Sequence, residues 1–157
     1  MTIARYLKKF DSWMACAYKA EKGTIGLEPA SERKELYHYV FYGSAKIGTP
    51  FSSEYRVIDA RAGELVNVKE LFKKDIIFDF LEDTSMWGFN SLDDEDWNGR
   101  IVNETFVATG TSVLVCLSGS PVVNNIKLSR YDYDELTEGK IYNIIPDSGV
   151  LALFTKI

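Results

Sequence analysis

ELYHYVFYGSAKIG, residues 35–48, is the most informative stretch of this chain. Tyr37, Tyr39, Val40, Phe41 and Tyr42 are aromatic and β-branched side chains of the kind that suit a pleated, half-buried surface. Gly43-Ser44 then closes the run as a turn. Under strict alternation Leu36, His38, Val40 and Tyr42 share one face of this strand, and Tyr37, Tyr39 and Phe41 share the other. The only histidine of the chain therefore belongs to a strand.

Similar runs fill the rest of the sequence from Ser12 onward, bounded by Gly, Asn, Asp and Pro. They predict strands over 12–20, 24–27, 36–42, 45–47, 55–60, 64–68, 75–81, 85–89, 101–108, 112–117, 122–128, 140–145 and 150–155. That length and spacing is the pattern of an all-β sandwich or barrel. Helix signals are few. A short N-terminal helix over 2–10, capped by Thr2, is expected, with about one further turn over 68–74.

Residues 35–79 can be set on 111–155 without a gap, at an offset of 76. Gly43-Ser44 then meets Gly119-Ser120, Ser53 meets Ser129, Tyr55 meets Tyr131, and Phe78 meets Phe154. GELVNV (63–68) meets GKIYNI (139–144). The coincidences fall where geometry is demanding: Gly43 and Gly119 end strands at turns that call for positive φ. Asn67 and Asn143 are placed to bridge backbone near a bend. The reading is one compact unit, 1–157, made of two similar halves at about 11–82 and 84–157.

Tyr39-Val40-Phe41-Tyr42-Gly43, followed by Gly63-Glu64-Leu65-Val66-Asn67-Val68, resembles the core of a cupin, in which an apolar strand ends in Gly and a later Gly opens another strand. VLVCLSGSPVV and LTEGKIYNIIPDSG, with Gly139, Pro146 and Gly149, resemble the second motif of that family. The resemblance implies a cupin-like jelly roll or β-sandwich, to which the helix read from residues 2–10 would be added. It also implies a metal held by two His and a Glu of the first motif and a His of the second. This chain departs from that pattern, because only Glu35 and His38 remain upstream of Gly43 and no His occurs over 139–155. One imidazole cannot complete a transition-metal site. Metal-free cupins of sugar-epimerase type pair a His base with a Tyr acid. The resemblance makes His38, Tyr42 and Glu35 the catalytic candidates on that reading, with Glu35 orienting the imidazole. Otherwise His38 is a packing residue; its counterpart in the second half is Leu114.

SLDDEDWNGRIVNET (91–105) joins the halves. Asp94, Asp96 and Asn98 with Gly99 match the opening of a D-x-D-x-N-G calcium loop, in which oxygens two apart converge on a hard cation. The twelfth position is Thr105 instead of the expected Glu, and an acidic connector ending in an Asn-Gly turn explains the same residues. Trp97, set among acids, is expected at the surface as a contact for a partner.

The bulk numbers limit what remains. With 46% hydrophobic and 26% charged residues over 157 positions, the chain can bury a core without staples. A net charge of −5 disfavours duplex nucleic acid, whose phosphates demand Lys and Arg. No apolar run is long enough to span a bilayer. MTIARYLKKF lacks a signal-peptide core, so a cytoplasmic location is expected. Cys16 and Cys116 lie in apolar runs at no metal spacing and are expected as buried thiols. Phosphate-loop, dinucleotide, nucleophile-elbow and zincin motifs are all missing from the sequence.

The expected function is a non-enzymatic cupin-like module that binds a small molecule or a protein and needs no cofactor, calcium aside. The first alternative is a metal-independent sugar isomerase or epimerase. The second is a structural or accessory protein, viral origin included, with room for self-association into a homo-oligomer.

Overall fold

The computed structural model describes residues 4–28, 34–50, 55–71 and 74–157. Among them, regular structure is strand apart from one 3-10 turn, Lys69–Leu71, within the 68–74 segment expected to turn once. Thr2, the expected cap, and Ser53, one of the repeat matches, lie outside the described residues. Contacts divide the chain into two compact units, Met1–Glu95 and Asp96–Ile157.

The first unit contains β1 (Ala4–Lys9), β2 (Trp13–Ala20), β3 (Ile25–Glu28), β4 (Lys34–Tyr42), β5 (Ser44–Gly48), β6 (Val57–Arg61), β7 (Leu65–Asn67), β8 (Ile76–Phe80) and β9 (Thr84–Ser91). They form two antiparallel sheets, one of five strands in the order β1-β2-β9-β4-β7 and one of four in the order β3-β8-β5-β6. Tyr18, Val40 and Met86 from the first sheet pack with Ile47, Phe78 and Phe80 from the second in one apolar core. Each large side chain so buried contributes about 1.5–3 kcal/mol.

The expected N-terminal helix is a strand. β1 pairs antiparallel with β2 from Ala4↔Lys19 to Lys9↔Met14, returned by a turn in which the Phe10 amide donates to the Trp13 carbonyl at 3.0 Å. An isolated nine-residue helix is marginal in water. The open edge of β2 satisfies the same backbone groups in a ladder.

The second unit contains β10 (Trp97–Val102), β11 (Phe106–Val107), β12 (Ser112–Ser118), β13 (Val122–Val123), β14 (Ile126–Lys127), β15 (Tyr133–Glu135), β16 (Ile141–Tyr142), β17 (Ile144–Ile145) and β18 (Val150–Lys156). Its main sheet runs β10-β18-β12-β15, with smaller sheets β11-β16 and β14-β13-β17. Asn124 and Asn125, at φ 47° and 65°, form the two-residue turn that pairs β13 with β14. Val102, Leu114, Cys116, Val123, Tyr142 and Leu151 belong to its core.

The turn glycines behave as expected, since Gly43 and Gly119 adopt φ 86° and 70°. Gly63 and Gly139 agree as well, both at φ 82°, but the strand order does not follow the offset. The offset places β8 on β18, yet β8 lies between β3 and β5, whereas β18 lies between β10 and β12 as β9 lies between β2 and β4. The asparagines differ as well. Asn67 Oδ1 accepts the Lys69 amide at 2.9 Å, while at Asn143 it is the backbone amide that is held, by Asn124 Oδ1 at 2.7 Å. Matched turn chemistry at a few positions had suggested a strand-for-strand repeat that the pairing does not follow.

Candidate functional site

His38 lies on the inner face of the five-stranded sheet and is 1% exposed. Its Nδ1 is 3.2 Å from the Tyr18 hydroxyl, and its ring meets Phe78 of the facing sheet edge-on at 5.5 Å. Nε2 points toward the Glu35 carboxylate, 3.8 Å away, and has no hydrogen-bond partner among the described residues. Directly across the ladder from His38 is Gly88, flanked on its other side by Cys16. A Cβ at Gly88 would come within 3.1 Å of the imidazole and 3.2 Å of the Cys16 sulfur. A glycine inside a strand marks such a close approach, and here it leaves the room in which Tyr18 and His38 meet.

Glu35 reaches this face because strict alternation fails. β4 carries an irregularity where Glu35 pairs with Asn90 and Tyr37 with Phe89, so Leu36 is an extra residue. A bulge of this kind inverts the parity of every position before it, and Glu35 thereby joins His38 on one face. A second bulge between Val40 and Tyr42 acts the other way. It turns Tyr42 out of the His38 face, and Tyr42 is 48% exposed. The tyrosine beside His38 is therefore Tyr18 and not Tyr42, a contact that sequence spacing does not reveal. Asn90, fully buried, completes the polar group; its amide contacts the Met14 carbonyl at 3.5 Å and the Cys16 sulfur at 3.8 Å.

The acidic segment folds differently from a calcium loop. Asp94 adopts φ 59°, and Asp93 Oδ1 accepts the Ser91 hydroxyl and the Glu95 amide. Asp96 Oδ1 accepts the Trp97 amide. From Trp97 the chain runs straight as β10, with Asn98 opposite Thr155. A calcium loop must wrap its ligands around one point; a paired strand carries Asn98 away from the others. Among the described residues no group of three His, Cys, Asp or Glu side chains could hold a metal ion. Trp97 is corrected too. It is 1% exposed, opposite Lys156, whose ammonium lies 5.5 Å from the ring centroid. Neighbouring acids had suggested a loop, but strand pairing turns the indole inward.

The second unit carries an open groove of about 370 Å³. Asn98 and Arg100 of β10 and Thr155 and Lys156 of β18 supply its polar lining, with Thr109. Val107 and Leu153 supply apolar surface. Asn98 faces Thr155 across the ladder and Arg100 faces Leu153, so these four side chains share one face. Thr155 is held in place by a 3.1 Å hydrogen bond with the buried Ser112 hydroxyl. None of these groove residues had been singled out from the sequence except Asn98, and that one for calcium.

No protein-family model matches the chain, and no curated protein matches it in sequence. Solved structures do match. A cupin 2 conserved barrel domain protein from Leptotrichia buccalis superposes with a TM-score of 0.61 at 8% identity, covering 99% of this chain and 89% of that one. The fold is cupin-like. YhaK from Escherichia coli gives a TM-score of 0.65 at 11% identity, with 96% of this chain and 92% of that one covered. HutD from Pseudomonas fluorescens SBW25 gives 0.64 at 13%, with 92% and 79% covered. These likenesses establish the fold and leave the chemistry to the residues. The metal that cupins commonly hold does not fit here. His38 and Glu35 are one imidazole and one carboxylate, and Nδ1 of His38 is already engaged by Tyr18. Burial and the charge of Asp132 push the Cys116 thiol up to about 11, which keeps it protonated near neutral pH.

Proposed function

We propose that this cupin-like protein is a binding module, and that a small molecule occupies the groove of its second unit. The observation that supports this is an open concavity of about 370 Å³ combining hydrogen-bonding side chains with apolar ones. The lining is chiefly polar, with Val107 among its apolar members, and a few placed polar groups are what fix a ligand's orientation in such sites. His38, by contrast, is sealed between Tyr18 and Phe78.

A second reading rests on a separate observation. Tyr18, His38 and Glu35 converge in the first unit, the combination a metal-independent isomerase or epimerase would use. A thermal-shift screen of a small-molecule collection separates the two, run on wild type, Val107→Trp and His38→Ala. Val107 is 54% exposed, so a larger side chain there narrows the groove without entering the core. Hits lost in Val107→Trp and kept in His38→Ala support the groove. Hits lost only in His38→Ala favour the second reading, and an absence of hits in wild type turns attention to a protein partner or a second copy of the chain.

A further inference from the structure

Resting on that reading of the groove, we infer that its ligand is a small anion, a carboxylate or a phosphate, gripped by Arg100. The second unit is acidic on balance, with seven Asp and Glu against five Lys and Arg. Two of those five cations, Arg100 and Lys156, line the groove, and none of the seven acids does. Arg100 is exposed, and among the described residues it has no carboxylate partner. Its guanidinium presents a planar fork of donors that matches the paired oxygens of a carboxylate or phosphate.

Around it the groove offers further donors. Asn98, two positions earlier on the same strand face, contributes an amide, and Thr109 contributes a hydroxyl. The Ser112 hydroxyl donates its single proton to the Thr109 carbonyl at 2.8 Å and accepts the Thr155 hydroxyl at 3.1 Å, which sets the position of Thr155. One buried serine thus ties together two sides of the groove. Leu153 and Val107 provide a surface for a short hydrocarbon portion of the ligand. Arginine without a carboxylate partner among the described residues, in a concavity lined by no acid, is poised for an external anion.

The test uses the full chain with succinate, inorganic phosphate and neutral succinamide as probes, followed by backbone amide NMR titration. Succinate or phosphate is expected to shift the amides of Asn98, Arg100 and Thr155, and the one that does so at lower concentration identifies the anion class. Arg100→Gln is expected to weaken that binding by at least about tenfold, the scale of one charge-assisted hydrogen-bonded contact, and Arg100→Lys is expected to fall between the two. Arg100 is exposed, so an unchanged melting temperature confirms that the variants are folded. Equal affinity of wild type and Arg100→Gln, or shifts that map elsewhere, overturns the inference. Succinamide binding the groove as tightly as succinate overturns the anion assignment alone and leaves the groove as a ligand site. Absence of any groove shift with all three probes overturns the anion assignment, and only a failed ligand screen removes the groove itself.

Discussion

The Tyr18 hydroxyl and Nδ1 of His38 lie 3.2 Å apart, joining β2 to β4 across the intervening strand β9. The contact is buried, and it gives the imidazole one fixed hydrogen bond beside the Glu35 carboxylate. Tyr18→Phe removes that partner and is expected to cost about 1–3 kcal/mol, the penalty of an unsatisfied buried polar group. Tyr42→Phe, at an exposed position on the same strand as His38, is expected to stay within about 0.5 kcal/mol. Urea unfolding of both variants checks the pair, and a larger loss in Tyr42→Phe would contradict the assignment.

Gly43 is a second position at which the first unit is sensitive to substitution. Its φ is 86°, and a Cβ there would run into the Asp83 carbonyl and the Thr84 side chain. Gly43→Ala is expected to destabilise by about 1–3 kcal/mol from the positive φ alone, with the backbone clash added. The midpoint of chemical denaturation reads the effect; an unchanged midpoint would mean that the β4–β5 turn is not as described.

All three tryptophans are sealed, Trp13 at 3%, Trp87 at 2% and Trp97 at 1% exposure. Acrylamide should therefore quench the native protein far less than the urea-unfolded chain, and Trp97→Phe should leave native quenching low. Efficient native quenching abolished by Trp97→Phe would restore the indole to the surface.

Burial, helped by Asp132, raises the Cys116 thiol from 9.0 to about 11. A thiol that ionises later in the folded chain favours the fold fully below the ordinary value, and this contribution is lost as pH rises from 9.0 through about 11. In a Cys16→Ala background the native protein is expected to resist thiol reagents at pH 8, with reactivity and loss of stability both rising across that window. Rapid native modification at pH 8 would show that Cys116 is accessible.

Much of the architecture is legible locally. Aromatic and β-branched runs such as YHYVFY declare strands, Gly43 and Gly119 declare their turns, and the apolar neighbours of Cys16 and Cys116 declare buried thiols. The N-terminal segment misleads because an amphipathic pattern of nine residues is compatible with a helix until a strand edge is available to pair with it. The repeat misleads because matching turn glycines say nothing about which strands become neighbours.

The residues of the candidate sites were decided in three dimensions. Period-two alternation assigns faces correctly only while the register is unbroken, and the bulges of β4 bring Glu35 to His38 and send Tyr42 away. Tyr18 meets His38, and Arg100 and Thr155 come to line one groove, through pairings between positions distant in the chain. By itself the sequence determined that the chain would form antiparallel sheets with glycine turns, because backbone propensity and side-chain periodicity are local. Tertiary structure alone determined which polar groups were sealed and which were left open to a ligand, because that depends on register between remote strands.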